Sequence, residues 1–182
     1  MTANLLLAAA PFVLAVWLFA PSRAKTWGWW VGVGAFVAFL PNAPYVLTDV
    51  IHLGTDLRRA TSDLQILGLF VQYGLLFAIG LAFYGGCLAV LRRRLLADGL
   101  ARWRWPAEIG LHAVCSVGIF LGRFFRLNSW DVVVRPSSVL HYVGVPRPVT
   151  LAIIGFTFCV LLTATVALRV PLAIHDLRRA SR

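Results

Sequence analysis

The sequence predicts an all-α fold: a polytopic transmembrane helical bundle of about five spans, N-terminus outside and C-terminus cytoplasmic. Three observations carry that expectation. Of 182 residues, 60% are hydrophobic and only 13% charged, whereas a soluble surface needs roughly a quarter charged. The apolar residues form continuous runs instead of alternating with polar ones, which selects helices over a closed barrel where lipid leaves backbone groups to satisfy one another. The basic residues, finally, gather unevenly in the connections between the runs.

The spans are expected at residues 4–20, 27–47, 66–91, 107–121 and 150–168, together forming one transmembrane domain over 1–182. Each is measured against the roughly 20 helical residues that cross a hydrocarbon layer about 30 Å thick; the first and fourth are short. The opening MTANLLL lacks the basic start of a secretory signal, so the first run reads as a retained helix. Cys87, Cys115 and Cys159 fall inside spans, where cysteine behaves as a small apolar residue. No CxxC spacing points to a disulfide framework or a cysteine metal site.

The formal charge of +10 would suggest nucleic acid in a soluble chain, but its distribution suggests topology. One set of connections receives Arg23, Lys25, Arg92 to Arg94, Arg102, Arg104, Arg169, Arg178, Arg179 and Arg182. The other receives Arg58, Arg59, Arg123, Arg126, Arg135 and Arg147. The richer side is expected in the cytoplasm, and the RRR cluster there reads as setting topology and touching anionic headgroups. No nucleic-acid partner is expected.

The acids follow a different pattern. Asp49, Asp56, Asp63 and Asp131 lie on the outer side, which is close to charge-balanced, while Asp98, Glu108 and Asp176 lie within the basic side. The outer charges sit in two polar-aromatic segments, PNAPYVLTDVIHLGTD from Pro41 and GRFFRLNSWD from Gly122. Two such clusters reaching one face of a membrane define a candidate site.

In the first segment, Pro41 and Pro44 are expected to break or kink the second helix, with Asn42 as a donor for freed carbonyls. If helix resumes at Pro44, then Asp49, His52 and Asp56 share a face. Such a face could hold a divalent cation, or a histidine tuned by a carboxylate for proton transfer; local capping and pairing would use the same residues structurally. Asp49 and His52 are therefore the candidate catalytic pair. In the second segment, Arg123 and Arg126 could fork onto phosphate or carboxylate, or pair with Asp49, Asp56 or Asp131 to tie helices together. With Asn128, Trp130, Asp131, Asn42 and Tyr45 they form the candidate binding set; Phe124, Phe125 and Trp130 also suit an interfacial aromatic belt.

In the fourth span Glu108 and His112 are i, i+4 neighbours, readable as a step of a proton path or as a headgroup-layer acid and a histidine bonded to a neighbouring helix. Gly118 and Gly122 form a small-xxx-small packing signal, and Gly85 and Gly86 serve the same end. No nucleotide loop, dinucleotide fingerprint or nucleophile elbow occurs in the sequence, and no cofactor is indicated.

FLPNAPYVLTDVIHL followed by GIFLGRFFRLNSWDVVVRP resembles the bacterial multi-helix membrane proteins grouped as domain of unknown function 1361. The resemblance rests on Asn42, Pro44, Tyr45, Asp49, His52, Leu53, Gly122, Arg123, Asn128, Ser129, Trp130 and Asp131 and would cover nearly the whole chain. It implies a multi-pass protein of the bacterial inner membrane and brings no assigned activity.

Three functions are compatible with these residues. The first is a binding or enzymatic site on the outer face for an anionic lipid headgroup or lipid-linked substrate. The second is an assembly or structural factor whose motif charges pair internally and whose apolar faces meet a membrane-protein partner or a second copy. The third is a small transporter subunit, which the sparse polarity of the third and fifth spans disfavours.

Overall fold

A computed structural model describes residues 2–21, 23–126, 137 and 147–180. The regular elements described are all helical: α1 Thr2–Leu18, α2 Trp27–Phe39, α3 Asn42–Tyr45, α4 Val50–Arg59, α5 Asp63–Ala97, α6 Arg104–Phe125 and α7 Pro148–Ala180. A 3-10 turn, Val46–Asp49, joins α3 to α4, and another, Ala101–Trp103, leads into α6. Trp27–Arg59, Asp63–Ala97, Ala101–Phe125 and Pro148–Leu168 are long and apolar enough to cross a membrane, and Leu5–Leu18 is a shorter apolar helix. Large side chains such as Trp27, Leu64, Phe70 and Phe156 face outward, an arrangement suited to lipid and costly in water.

The second run is not one regular helix. Pro41 and Pro44 cannot donate backbone hydrogen bonds, and the carbonyl of Leu40 is taken instead by the N–H of Ala43 at 3.1 Å, three residues on. Leu40, Pro41, Tyr45 and Val46 keep right-handed helical dihedrals. The prolines therefore tighten the chain into α3 and a 3-10 turn, breaking the regular α-helix of the second run.

That tightened segment sits in the middle of the bundle, against α1, α5 and α6. Ala43, Pro44 and Val46 are buried. Two glycines let it approach: a Cβ on Gly118 would lie 2.6 Å from Pro41 Cγ, and one on Gly80 would lie 2.9 Å from the Ala43 carbonyl oxygen. Gly118 thus meets the packing role expected of it. Gly86 does likewise, facing the ring of Phe12 on α1. Around this contact the core gathers Leu18, Phe19, Trp29, Phe36, Leu40, Tyr84 and Leu88, with Phe19 edge-on to both Trp29 and Phe36.

At the basic end the three consecutive arginines separate by role. Successive helical residues fan by about 100°, so they cannot share one environment. Arg92 Nε reaches Glu108 Oε1 at 3.1 Å and ties α5 to α6. Arg94 is buried; its guanidinium donates to the carbonyls of Ala20 (2.6 Å), Pro21 (2.9 Å) and Arg23 (3.1 Å), clamping the α1–α2 connection. It also contacts Asp98 Oδ2 at 3.0 Å, an oxygen shared with Lys25 Nζ at 2.8 Å. Lys25, then Arg94, hold the Asp98 carboxyl below its usual range. Arg93 alone of the three is exposed. Two of the arginines expected to face headgroups are therefore turned inward, because α5 has internal carbonyl and carboxylate partners for them.

Candidate functional site

The end opposite the basic cluster is built by α4, the first turns of α5 and the last turn of α6. α5 starts cleanly because Ser62 caps it, accepting from the N–H of Gln65 at 3.3 Å. Gln65 reaches back, its Oε1 accepting from the N–H of Thr61 at 2.8 Å and its hydroxyl at 3.1 Å. The Ser62-x-x-Gln65 spacing ahead of an apolar run is a capping-box signal. Beyond the cap, Gln65, Gly68, Leu69 and Gln72 line one side of α5, while Leu64, Leu67, Phe70 and Val71 are exposed on the other. These first turns thus present two carboxamides toward α4 and apolar side chains on the opposite side.

Across from this polar side, α4 carries Asp56 and Arg59. Between the two helices lies an open cleft of about 460 Å³ lined by Asp56, Arg59, Ala60, Gln65, Gly68, Leu69 and Gln72. Asp56 is fixed at its inner edge, its Oδ2 accepting from the hydroxyl of buried Tyr73 at 2.7 Å. One carboxylate, one guanidinium and two carboxamides thus surround a space large enough for a small polar group.

The expected shared face of Asp49, His52 and Asp56 opens into a fan. Asp49 is buried, Asp56 half-buried and His52 exposed. At 100° per residue Asp49 and Asp56 point about 20° apart and His52 about 60° from Asp49, and the core takes the Asp49 edge. The candidate catalytic pair therefore does not face one common space. Among the described residues no group of three His, Cys, Asp or Glu could hold a metal ion.

The other predicted residues are placed as follows. Asn42 and Tyr45 are half-buried, and Tyr45 packs on the hydrophobic core. The Thr48 hydroxyl donates to the carbonyl of Tyr45 at 2.7 Å. Arg123 is half-buried in the last turn of α6. Arg126 is exposed and caps that helix in the left-handed region, φ 55°, a conformation costing a non-glycine residue about 1 kcal/mol. The helix ends between the two arginines, so they do not continue one helical row. Asn128, Ser129, Trp130 and Asp131 lie outside the described residues.

Missing from the sequence reading are Arg59, Gln65 and Tyr73 as parts of one site. The capping-box spacing was the signal for Gln65. Nothing local marks Tyr73, whose partner is 17 residues away.

A second polar group lies in the interior. His112 Nδ1 is 2.6 Å from the Tyr84 hydroxyl and Nε2 is 3.3 Å from Thr165 Oγ1. Thr165 directs its hydroxyl proton to the carbonyls of Leu161 and Leu162, so Nε2–H donates to Thr165 and Nδ1 accepts from Tyr84. His112 therefore bonds neighbouring helices, one of the two readings its position allowed.

Helices of this length and apolarity, with polar groups satisfied between helices inside and charges at the ends, define a multi-pass α-helical membrane protein. The family model described as Protein of unknown function (DUF1361) matches residues 3–167. The chain belongs to that family. Comparison with curated proteins and with solved structures returns no match.

Proposed function

We propose that the chain binds the headgroup of a lipid, or of a lipid-linked substrate, in the cleft between α4 and α5, and that this end faces the outside of a bacterial inner membrane. The observation that carries the reading is the cleft itself: about 460 Å³, open, with Asp56, Arg59, Gln65 and Gln72 around it, on turns that are polar toward the cleft and apolar on the opposite side. A guanidinium takes a phosphate. A carboxylate and two carboxamides take the hydroxyl or ammonium donors beside it. The best fit is therefore an anionic phosphate carrying hydrogen-bond donors, rather than a bare phosphate.

The orientation follows the excess of basic residues at the other end. Tyr73 holds Asp56 from behind through its hydroxyl. Of the binding set expected from the sequence, Arg123, Arg126, Asn42 and Tyr45 do not line this cleft, and Asn128, Trp130 and Asp131 lie outside the described residues. No reaction is assigned, because Asp49 is buried and His52 exposed.

Native mass spectrometry of the purified protein, released from membranes of mixed phospholipid composition, tests the reading. Wild type is expected to retain a phosphate-bearing lipid that an Asp56→Asn/Arg59→Gln variant loses by at least about tenfold, since a charge-assisted contact contributes roughly 1.5–3 kcal/mol. An unchanged lipid complement together with reduced thermal stability would instead favour an assembly or structural factor, for which the hydrogen bond from Tyr73 to Asp56 is the supporting observation.

A further inference from the structure

The basic end carries a second surface, independent of the cleft. The described acids there are engaged: Asp98 by Lys25 and Arg94, Glu108 by Arg92. Arg93 and Arg102 remain exposed, and the 3-10 turn holding Arg102 packs against α5. Beside them Trp103 and Trp105 are each 51% exposed and Leu96 is 50% exposed. The Arg102 guanidinium lies 5.8 Å from the centre of the Trp103 ring. Positive charge beside half-exposed indole rings, at the end of long apolar helices, is chemistry that meets phosphate on one side and acyl chain on the other.

We propose that Arg93, Arg102, Trp103 and Trp105 form a binding surface for an anionic phospholipid at the α5–α6 turn. The occupant is a lipid because the same patch offers exposed indole and leucine surface at the ends of helices long and apolar enough to cross a membrane. It is anionic because the described acids at this end, Asp98 and Glu108, are already committed within the fold.

Quenching of tryptophan fluorescence by bromine-labelled lipids tests this in vesicles of unlabelled phosphatidylcholine. Brominated phosphatidylglycerol and brominated phosphatidylcholine are compared at equal mole fraction. Phosphatidylglycerol is expected to quench preferentially, each arginine raising apparent affinity about fivefold, and the preference should shrink as salt screens it. Arg93→Gln/Arg102→Gln should abolish the preference, Arg93→Lys/Arg102→Lys should keep most of it, and Trp103→Phe/Trp105→Phe should remove the preferential signal. These positions are exposed, so circular dichroism and melting temperature should match wild type. Equal quenching by both lipids, or a preference that survives in the Gln variant or the Phe variant, overturns the proposal; so does a Lys variant as indifferent as the Gln variant.

Discussion

Arg92, Arg93 and Arg94 share an amino acid, a helix and almost a position, yet an ion pair, a solvent-facing charge and a buried clamp result. Removing Arg94 strands three carbonyls and leaves Asp98 to Lys25 alone; loss of one partner from such a buried charged network costs about 3–5 kcal/mol. Arg93→Ala, at an exposed position, should change stability by less than about 0.5 kcal/mol. Thermal melting in detergent micelles compares the two directly. Asp98 adds a pH signature. Its folded carboxyl is held below the usual range, chiefly by Lys25 and then Arg94. The stability it contributes is therefore present above the ordinary carboxylate pKa of about 3.9 and lost as pH falls through the lower folded value. Melting temperature followed from neutral pH down through that range should fall for wild type, and the part of the fall due to this group should be missing in Asp98→Asn. From sequence, RRR was legible as charge but not as three roles, because the loop carbonyls that capture Arg94 lie more than 70 residues away.

On the scale of elements, the segment from Pro41 to Asp49 decides how α1, α5 and α6 meet. Its residues were legible as a disturbance of the second span and as the start of a polar region. Gly118 was legible as a packing position through its small-xxx-small spacing with Gly122, but not that Pro41 would be its partner; Gly80, which meets Ala43, does not differ locally from other glycines in its run. Gly118→Ala and Gly80→Ala should each destabilise by about 1–3 kcal/mol, because a rigid ring and a backbone carbonyl cannot move aside. Gly110→Ala is the control: nothing lies within 4 Å of its added Cβ, so helix propensity should make it neutral or stabilising by up to about 1 kcal/mol. Equal effects at all three positions would remove the packing explanation. Tyr73→Phe deletes the hydroxyl that fixes Asp56; it should cost about 1.5–3 kcal/mol and raise amide exchange in α4 more than in α6.

For the whole molecule, the sequence carried the class of fold, the number of apolar runs and the family, because all three are written in composition, in run length and in two long motifs. It carried the site only in part. Asp56 and the charge-balanced end were named, but periodicity alone cannot say which edge of a helical face the core will take, and that choice buries Asp49 and exposes His52. The two-ended arrangement makes a topological prediction. With the native cysteines replaced, a single cysteine at Gln65 should react with a membrane-impermeant maleimide on intact cells, and one at Arg93 only after permeabilisation; the reverse would invert the orientation. The headgroup cleft is tested most directly by a photo-crosslinking side chain placed at Gln72, irradiated in native membranes. The expected product is an adduct carrying the mass of a phosphate-bearing lipid, strongly reduced when Asp56→Asn and Arg59→Gln are introduced; adducts to protein alone, or a lipid adduct indifferent to those two changes, would contradict a headgroup site between α4 and α5.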